Sequence, residues 1–218
     1  MFDEIEMAEA GEHAIELQGE IGKIEAVLSV PKHKNSNFIA VLGHPHSLQG
    51  GTMNNKVVTT MARTFRDLGI VSLRMNFRGV GNSGGEFDAG IGESEDMLGI
   101  IDALQAKMPQ ANLVLSGFSF GSYVTYRAAC QRDCQLLVSI APPVHHYDYK
   151  AFAQKPKSWL VVQGLSDEVV PAEEVLTFFS PMTGADILEF DETGHFFHGK
   201  LIELKQALTE ALTKTLNL

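Results

Sequence analysis

A serine hydroxyl is a weak nucleophile, and Ser119 stands where such a hydroxyl can be put to use. It is the centre of Gly117-Phe118-Ser119-Phe120-Gly121, which follows the apolar run Asn112 to Ser116 and precedes the helix-compatible stretch Ser122 to Ala129. G-x-S-x-G between a strand and a helix makes a turn so tight that side chains two positions either side of the serine would collide. The turn lifts the hydroxyl clear of the sheet. It also places Ser119 at a helix N-terminus, whose free N–H groups and positive dipole end can stabilise a developing oxyanion.

Such a serine needs a neighbouring base, most often histidine, which an acid holds in the right tautomer. Two later strand ends supply both. Gly164-Leu165-Ser166-Asp167-Glu168-Val169-Val170-Pro171 follows one apolar run, and Asp191-Glu192-Thr193-Gly194-His195-Phe196-Phe197 follows another. Asp167 is the candidate acid, with Glu168 and Asp191 as rivals and an N-cap of the next helix as its structural alternative. His195 is the candidate base, with His198 as rival and a plain loop histidine as alternative.

Acyl transfer also needs two oxyanion donors. One is the backbone N–H of Phe120, directly after the serine. The other comes from the loop after the strand that precedes the first helix, here Gly43-His44-Pro45-His46-Ser47-Leu48-Gln49-Gly50-Gly51. The N–H of His46 is the candidate. The two histidines of this loop are also a possible metal pair, but no acid or cysteine lies beside them, and His145-His146 is remote in sequence.

These residues need a scaffold, and the pattern around them describes one. Two β-like runs, Ala14 to Leu17 and Lys23 to Val30, are separated by Gly19 and Gly22 and predict an antiparallel pair. From Asn37 onward, strands alternate with helices. Strands are expected at Phe38–Leu42, Ile70–Asn76, Asn112–Ser116, Gln135–Ile140, Ser158–Gln163 and Asp186–Phe190. Helices are expected at about Asn55–Leu68, Gly92–Ala106, Phe120–Cys130, Ala172–Phe179 and Gly199–Leu216. The helices carry apolar residues at helical spacing, such as Leu201, Leu204, Leu208 and Leu212. The strands are continuous Val/Leu/Ile runs, as expected when both faces are buried. This predicts an α/β fold: a mostly parallel central sheet with helices on both faces, and ligands bound beyond the carboxyl ends of the strands.

Gly79-Val80-Gly81-Asn82-Ser83-Gly84 is a literal G-x-G-x-x-G after a strand, the string of a dinucleotide site. Its context is wrong: the glycines should open a helix at once, yet the acidic Gly85 to Gly90 follows and no helix starts before about Gly92.

Composition narrows the rest. A chain of 218 residues, 44% hydrophobic, fits a single domain spanning 1–218 with one shared core. The formal net charge of −10 argues against nucleic acid or an anionic membrane as partner. The densest basic clusters, Lys32 to Lys34 and Lys155 to Lys157, hold two lysines each. The acidic Met1 to Glu6 is unlike a signal peptide, and no apolar stretch reaches the roughly 18 residues of a membrane helix, so a cytoplasmic protein is expected. Cys130 and Cys134 are four apart, which is neither redox spacing nor a disulfide framework.

Gly43-His44-Pro45-His46, Asn76 to Gly84, Gly117 to Gly121, Asp167-Glu168-Val169-Val170-Pro171 and Gly194-His195 resemble the motifs of compact, cap-less bacterial α/β-hydrolases. The likeness runs over about Lys23 to Leu216, and the order Ser, Asp, His is that family's order. It implies an α/β-hydrolase fold without a large cap; no cofactor and no metal are expected. It also implies a serine hydrolase of the esterase, dienelactone-hydrolase-like or serine-peptidase-like kind. Dienelactone hydrolases use cysteine where Ser119 stands, and His-Pro replaces the commoner His-Gly in the oxyanion loop. The expected activity is cleavage of small, soluble carboxylic esters through an acyl-enzyme. Thioester or peptide cleavage on the same machinery is the alternative, and a binding protein that has lost the chemistry is a further one. Larger relatives insert a lid after the strand at Gln135–Ile140. Ala141 to Lys157, with Pro142, Pro143 and Pro156, is too short to wall a long apolar tunnel. Acetyl to butyryl groups are therefore expected to be preferred, with His145, His146, Tyr147 and Tyr149 rimming a shallow pocket.

Overall fold

A computed structural model describes residues 9–35, 37–154 and 156–218. The acidic N-terminal stretch Met1 to Glu6 and Lys155 lie outside the described residues. Strands β1 (Gly11–Gln18) and β2 (Lys23–Val30) form the antiparallel pair, longer at its first strand than the alternation alone suggested. Then come β3 (Phe38–Gly43), α1 (Lys56–Asp67), β4 (Val71–Met75), α2 (Ile91–Lys107), β5 (Asn112–Phe118) and α3 (Phe120–Ala129). The chain continues with β6 (Cys134–Ile140), β7 (Trp159–Gly164), α4 (Ala172–Phe179), β8 (Ala185–Phe190) and α5 (Leu201–Leu216). Each expected element is present, with ends shifted by at most a few residues.

The strands form one sheet in the order β1-β2-β4-β3-β5-β6-β7-β8. Pairing is antiparallel from β1 through β2 to β4 and parallel from β4 to β8. Successive side chains of a strand point to opposite faces, and the core divides accordingly. Ile39, Val41, Leu113, Leu115, Leu137 and Val161 pack with α2, α3 and α4 on one face. Ala40, Leu42, Val114, Val138, Leu160 and Val162 pack with α1 and α5 on the other. That double burial is why these strands read as continuous apolar runs.

Chain ends of β3, β5, β6, β7 and β8 all open at one edge of the sheet, because parallel strands point their carboxyl ends the same way. The connection from β6 to β7, which is the site of a lid in larger folds, has no helix or strand among its described residues. No helix among the described residues is long and apolar enough to cross a membrane.

The glycine-rich turn after β4 is a structural brace. Glu25 of β2 accepts hydrogen bonds from Asn76 Nδ2 and from the N–H of Asn82, and a Cβ on Gly81 would lie 2.5 Å from its carboxylate. A carboxylate thus sits against the turn where a nucleotide site would need room for pyrophosphate. Arg78 at the turn's start donates to the fully buried Asp96 of α2 at 2.8 Å.

Candidate active site

The elbow after β5 is shaped by backbone contact. Ser119 has φ 53° and ψ −125°, a conformation that costs a non-glycine residue on the order of 1–3 kcal/mol. A Cβ on Gly117 would lie 2.2 Å from the Gly121 carbonyl oxygen, and one on Gly121 would lie 2.5 Å from that of Gly43. Three glycines therefore let β3, β5 and α3 meet backbone to backbone. The strained residue is tied at both ends. Its N–H donates to the Ile140 carbonyl at 2.8 Å, and its own carbonyl accepts from the N–H (2.8 Å) and the hydroxyl (2.6 Å) of Ser122. The Ser122 proton is thereby committed, so the Tyr149 hydroxyl, 2.9 Å away, supplies the proton between those two oxygens.

The loops after β7 and β8 bring Asp167 and His195 to this serine. His195 Nε2 lies 3.0 Å from Ser119 Oγ, and its Nδ1 lies 2.8 Å from Asp167 Oδ2. All three residues are buried. The other Asp167 oxygen accepts the N–H groups of Val169 and Val170. Burial alone would raise the Asp167 carboxyl, but the hydrogen bonds from His195 and these two amides outweigh it and hold the group below its usual value. An ionised acid at Nδ1 fixes the proton there and leaves Nε2 free to accept. The rivals stand elsewhere. Asp191 and His198 are exposed, and Glu168 takes the backbone N–H of His195 (3.3 Å) rather than its ring.

Phe120 is the first residue of α3, so its N–H has no partner within the helix. His46 precedes a short 3-10 turn (Ser47–Gln49). Its carbonyl accepts from Gln49 and Gly51, and among the described residues its N–H makes no hydrogen bond. Both residues line the same cleft as Ser119.

His44 plays a part the sequence did not disclose. It is fully buried. Its Nε2 accepts the N–H of Phe77 at 3.0 Å, which leaves Nδ1 to donate to the Pro45 carbonyl at 2.6 Å. Burial pushes its pKa down to about 4, so it stays neutral and pins the loop to the end of β4. With both nitrogens engaged it is not a metal ligand. Gln163 of β7 was missed as well. Its buried amide donates to the carbonyls of Gly164 and Val170 on either side of Asp167. No local spacing marks either residue, because their partners are backbone groups brought close only by folding.

Tyr149 does not rim the pocket as expected; it is buried in the core with its ring against Tyr126 (4.8 Å). His145, His146 and Tyr147 do line the cleft.

The sequence matches no protein-family model. It is 35% identical over 210 residues, 91% of this chain and 87% of the relative, to an uncharacterised protein of Rickettsia prowazekii. A serine hydrolase of Xanthomonas campestris described as lacking a lid superposes with a TM-score of 0.89 at 39% identity, covering 94% of each chain. The chain belongs to the lid-less α/β serine hydrolases. An α/β serine hydrolase homologue from Coxiella burnetii agrees, at 40% identity and a TM-score of 0.88 over 92% of this chain and 97% of its own.

In this hydrolase two clefts meet at Ser119. A smaller one, about 90 Å³, runs past His195, Phe196, Gly51 and Asn55. A larger one, about 190 Å³, runs past Phe120, His145, His146 and Tyr147. His46, Gln49 and Val169 border both. Cavities of about 440 and 450 Å³ lie elsewhere and include none of these residues.

Proposed function

We propose that this hydrolase cleaves small carboxylic esters through an acyl-enzyme, with Ser119 as nucleophile, His195 as general base and Asp167 as the acid that orients it. The observation that carries this reading is the unbroken hydrogen-bond chain from Ser119 Oγ through the His195 ring to Asp167. Ser119 Oγ attacks the ester carbonyl while Nε2 takes its proton. The resulting oxyanion is met by the N–H groups of Phe120 and His46. Nε2 then returns the proton to the departing alcohol oxygen, and water repeats the sequence on the acyl-enzyme. Asp167 remains ionised throughout and steadies the imidazolium. The open, lid-less cleft supports small substrates, because a long acyl chain gains only where walls remove its methylenes from water.

The test is fluorophosphonate labelling followed by a 4-nitrophenyl ester series. One rapidly labelled serine, absent in Ser119→Ala, is expected, with kcat/KM highest for acetyl to butyryl groups. Equal labelling of Ser119→Ala would overturn the nucleophile. Activity climbing steadily to palmitate would overturn the substrate class.

A further inference from the structure

We infer that the larger cleft is the acyl pocket and that it accepts a short acyl chain ending in a carboxylate, with His46, His146 and Tyr147 around that far end. The inference rests on the proposed triad, and it begins with the position of His195. The proton taken from Ser119 must pass to the departing oxygen, so the leaving group lies on the imidazole side. That is the smaller cleft, where Phe196 and Val169, both partly exposed, offer an apolar rim. The acyl group then extends the opposite way, into the cleft that His195 does not line.

The walls of that cleft are unsuited to a plain alkyl chain. They present three imidazoles, the phenol of Tyr147 and the amide of Gln49, and neither cleft is lined by any aspartate, glutamate, lysine or arginine. His46 Nδ1 is buried with no hydrogen-bond partner, and the half-buried Tyr147 makes no hydrogen bond through its hydroxyl among the described residues. The unpaired His46 nitrogen costs free energy, and a substrate group that pairs with it recovers that cost. Burial pushes the Tyr147 phenol up to about 12, so it remains a donor. Stacking holds these groups in place: Tyr147 lies on Tyr123 at 4.6 Å, with the His146 ring edge-on to it at 4.9 Å. The buried acid Glu93 accepts the N–H groups of Asp88 and Gly90, and its charge is felt at both His46 and Tyr147. The histidines belong to no group that could hold a metal ion among the described residues. A cleft of about 190 Å³ is small beside those that take drug-sized ligands, which suits a short acyl chain.

The experiment compares 4-nitrophenyl glutarate monoester with 4-nitrophenyl pentanoate, equal in carbon count, with the enzyme-free rate subtracted to remove intramolecular attack by the free carboxylate. The glutarate ester is expected to show a kcat/KM at least about tenfold higher, the size of one charge-assisted hydrogen bond. In His146→Phe, which keeps the ring and removes its nitrogens, the ratio is expected to fall to about one. His146 is exposed, and a thermal melt checks that the variant is folded. Pentanoate turnover at Ser119 with no preference for glutarate overturns this inference and leaves the triad standing. A preference that survives both His146→Phe and Tyr147→Phe also overturns it. Turnover of neither ester overturns both readings.

Discussion

Two loops meet over Ser119, and they are built differently. The loop after β3, from His44 to Asn55, is fixed through its backbone. The buried His44 ring bonds to Phe77 and Pro45, the Met53 N–H donates to Asn76, and Asn55 caps α1 by accepting from Val57. The loop after β6 is fixed at one point and open at another. Tyr149 is sunk in the core, while His145 and His146, only a few residues earlier, are exposed. In the proposed mechanism the first loop supplies a main-chain oxyanion donor, whose position must not vary by fractions of an ångström. The second supplies side chains to a cleft wall, whose identity can change without disturbing the elbow. On the proposed reading, the oxyanion donor is lodged in the first loop and acyl selectivity in the second.

The largest expected effects break the rigid side. Ser119→Ala is expected to lower kcat on the order of 10⁶-fold, the loss seen when a comparable triad loses its nucleophile. Asp167→Asn is expected to cost up to about 10⁴ in kcat with the fold intact, because an amide at Nδ1 permits the wrong tautomer. Asp191→Asn, an exposed side chain, is expected to cost far less. Steady-state kinetics on a short ester checks all three, and the reverse ranking of the two aspartates would reassign the acid.

A middle-sized effect concerns how the rigid loop is held. His44 is near 6.5 when unfolded and about 4 in the folded protein, so between those values the unfolded chain binds the extra proton. Its contribution to stability is therefore complete above about pH 6.5, is lost as pH falls toward 4, and is level below that. The size is on the order of 3 kcal/mol. Urea unfolding from pH 7 to 4 is expected to show this loss, and His44→Gln is expected to flatten it. An unchanged slope in the variant would mean that other groups carry the acid sensitivity.

The contrast between the loops also explains what could be read from residues alone. Strand order aside, the architecture was legible because apolar runs and helical spacing are local signals. That Ser119, Asp167 and His195 come together was legible because each follows a strand, and all those strands end at one edge. His44 was not, since a histidine bound to two backbone groups has the same spacing as a metal ligand. Tyr149 was read as a rim residue because it follows His145, His146 and Tyr147. Nothing in that string says that the chain dives between them, with Tyr126 donating to the Tyr149 carbonyl at 2.6 Å.

The smallest expected effect tests whether the two loops are independent after all. Tyr149 links the loop after β6 to the elbow by hydrogen bonds, through Ser122 to the carbonyl of the strained Ser119, beside the ring contact of Tyr147 with Phe120 at 5.6 Å. Tyr149→Phe keeps the ring packing and the backbone bond from Tyr126, and removes only the hydroxyl. One buried hydrogen bond contributes about 1 kcal/mol, equivalent to about fivefold in a rate or an equilibrium constant. If that hydroxyl helps to hold Ser119 at positive φ, kcat is expected to fall by about this factor with KM unchanged, since the cleft walls are untouched. Ser122→Ala is expected to cost somewhat more, by leaving the Tyr149 hydroxyl without that partner, and the double variant less than the sum, because both changes break one chain. A loss of melting temperature with kcat unaltered would show instead that Tyr149 serves only the core. The hydrogen-bonded route from Tyr149 would then carry nothing to the chemistry, and the ring contact of Tyr147 with Phe120 would be the remaining link between wall and elbow.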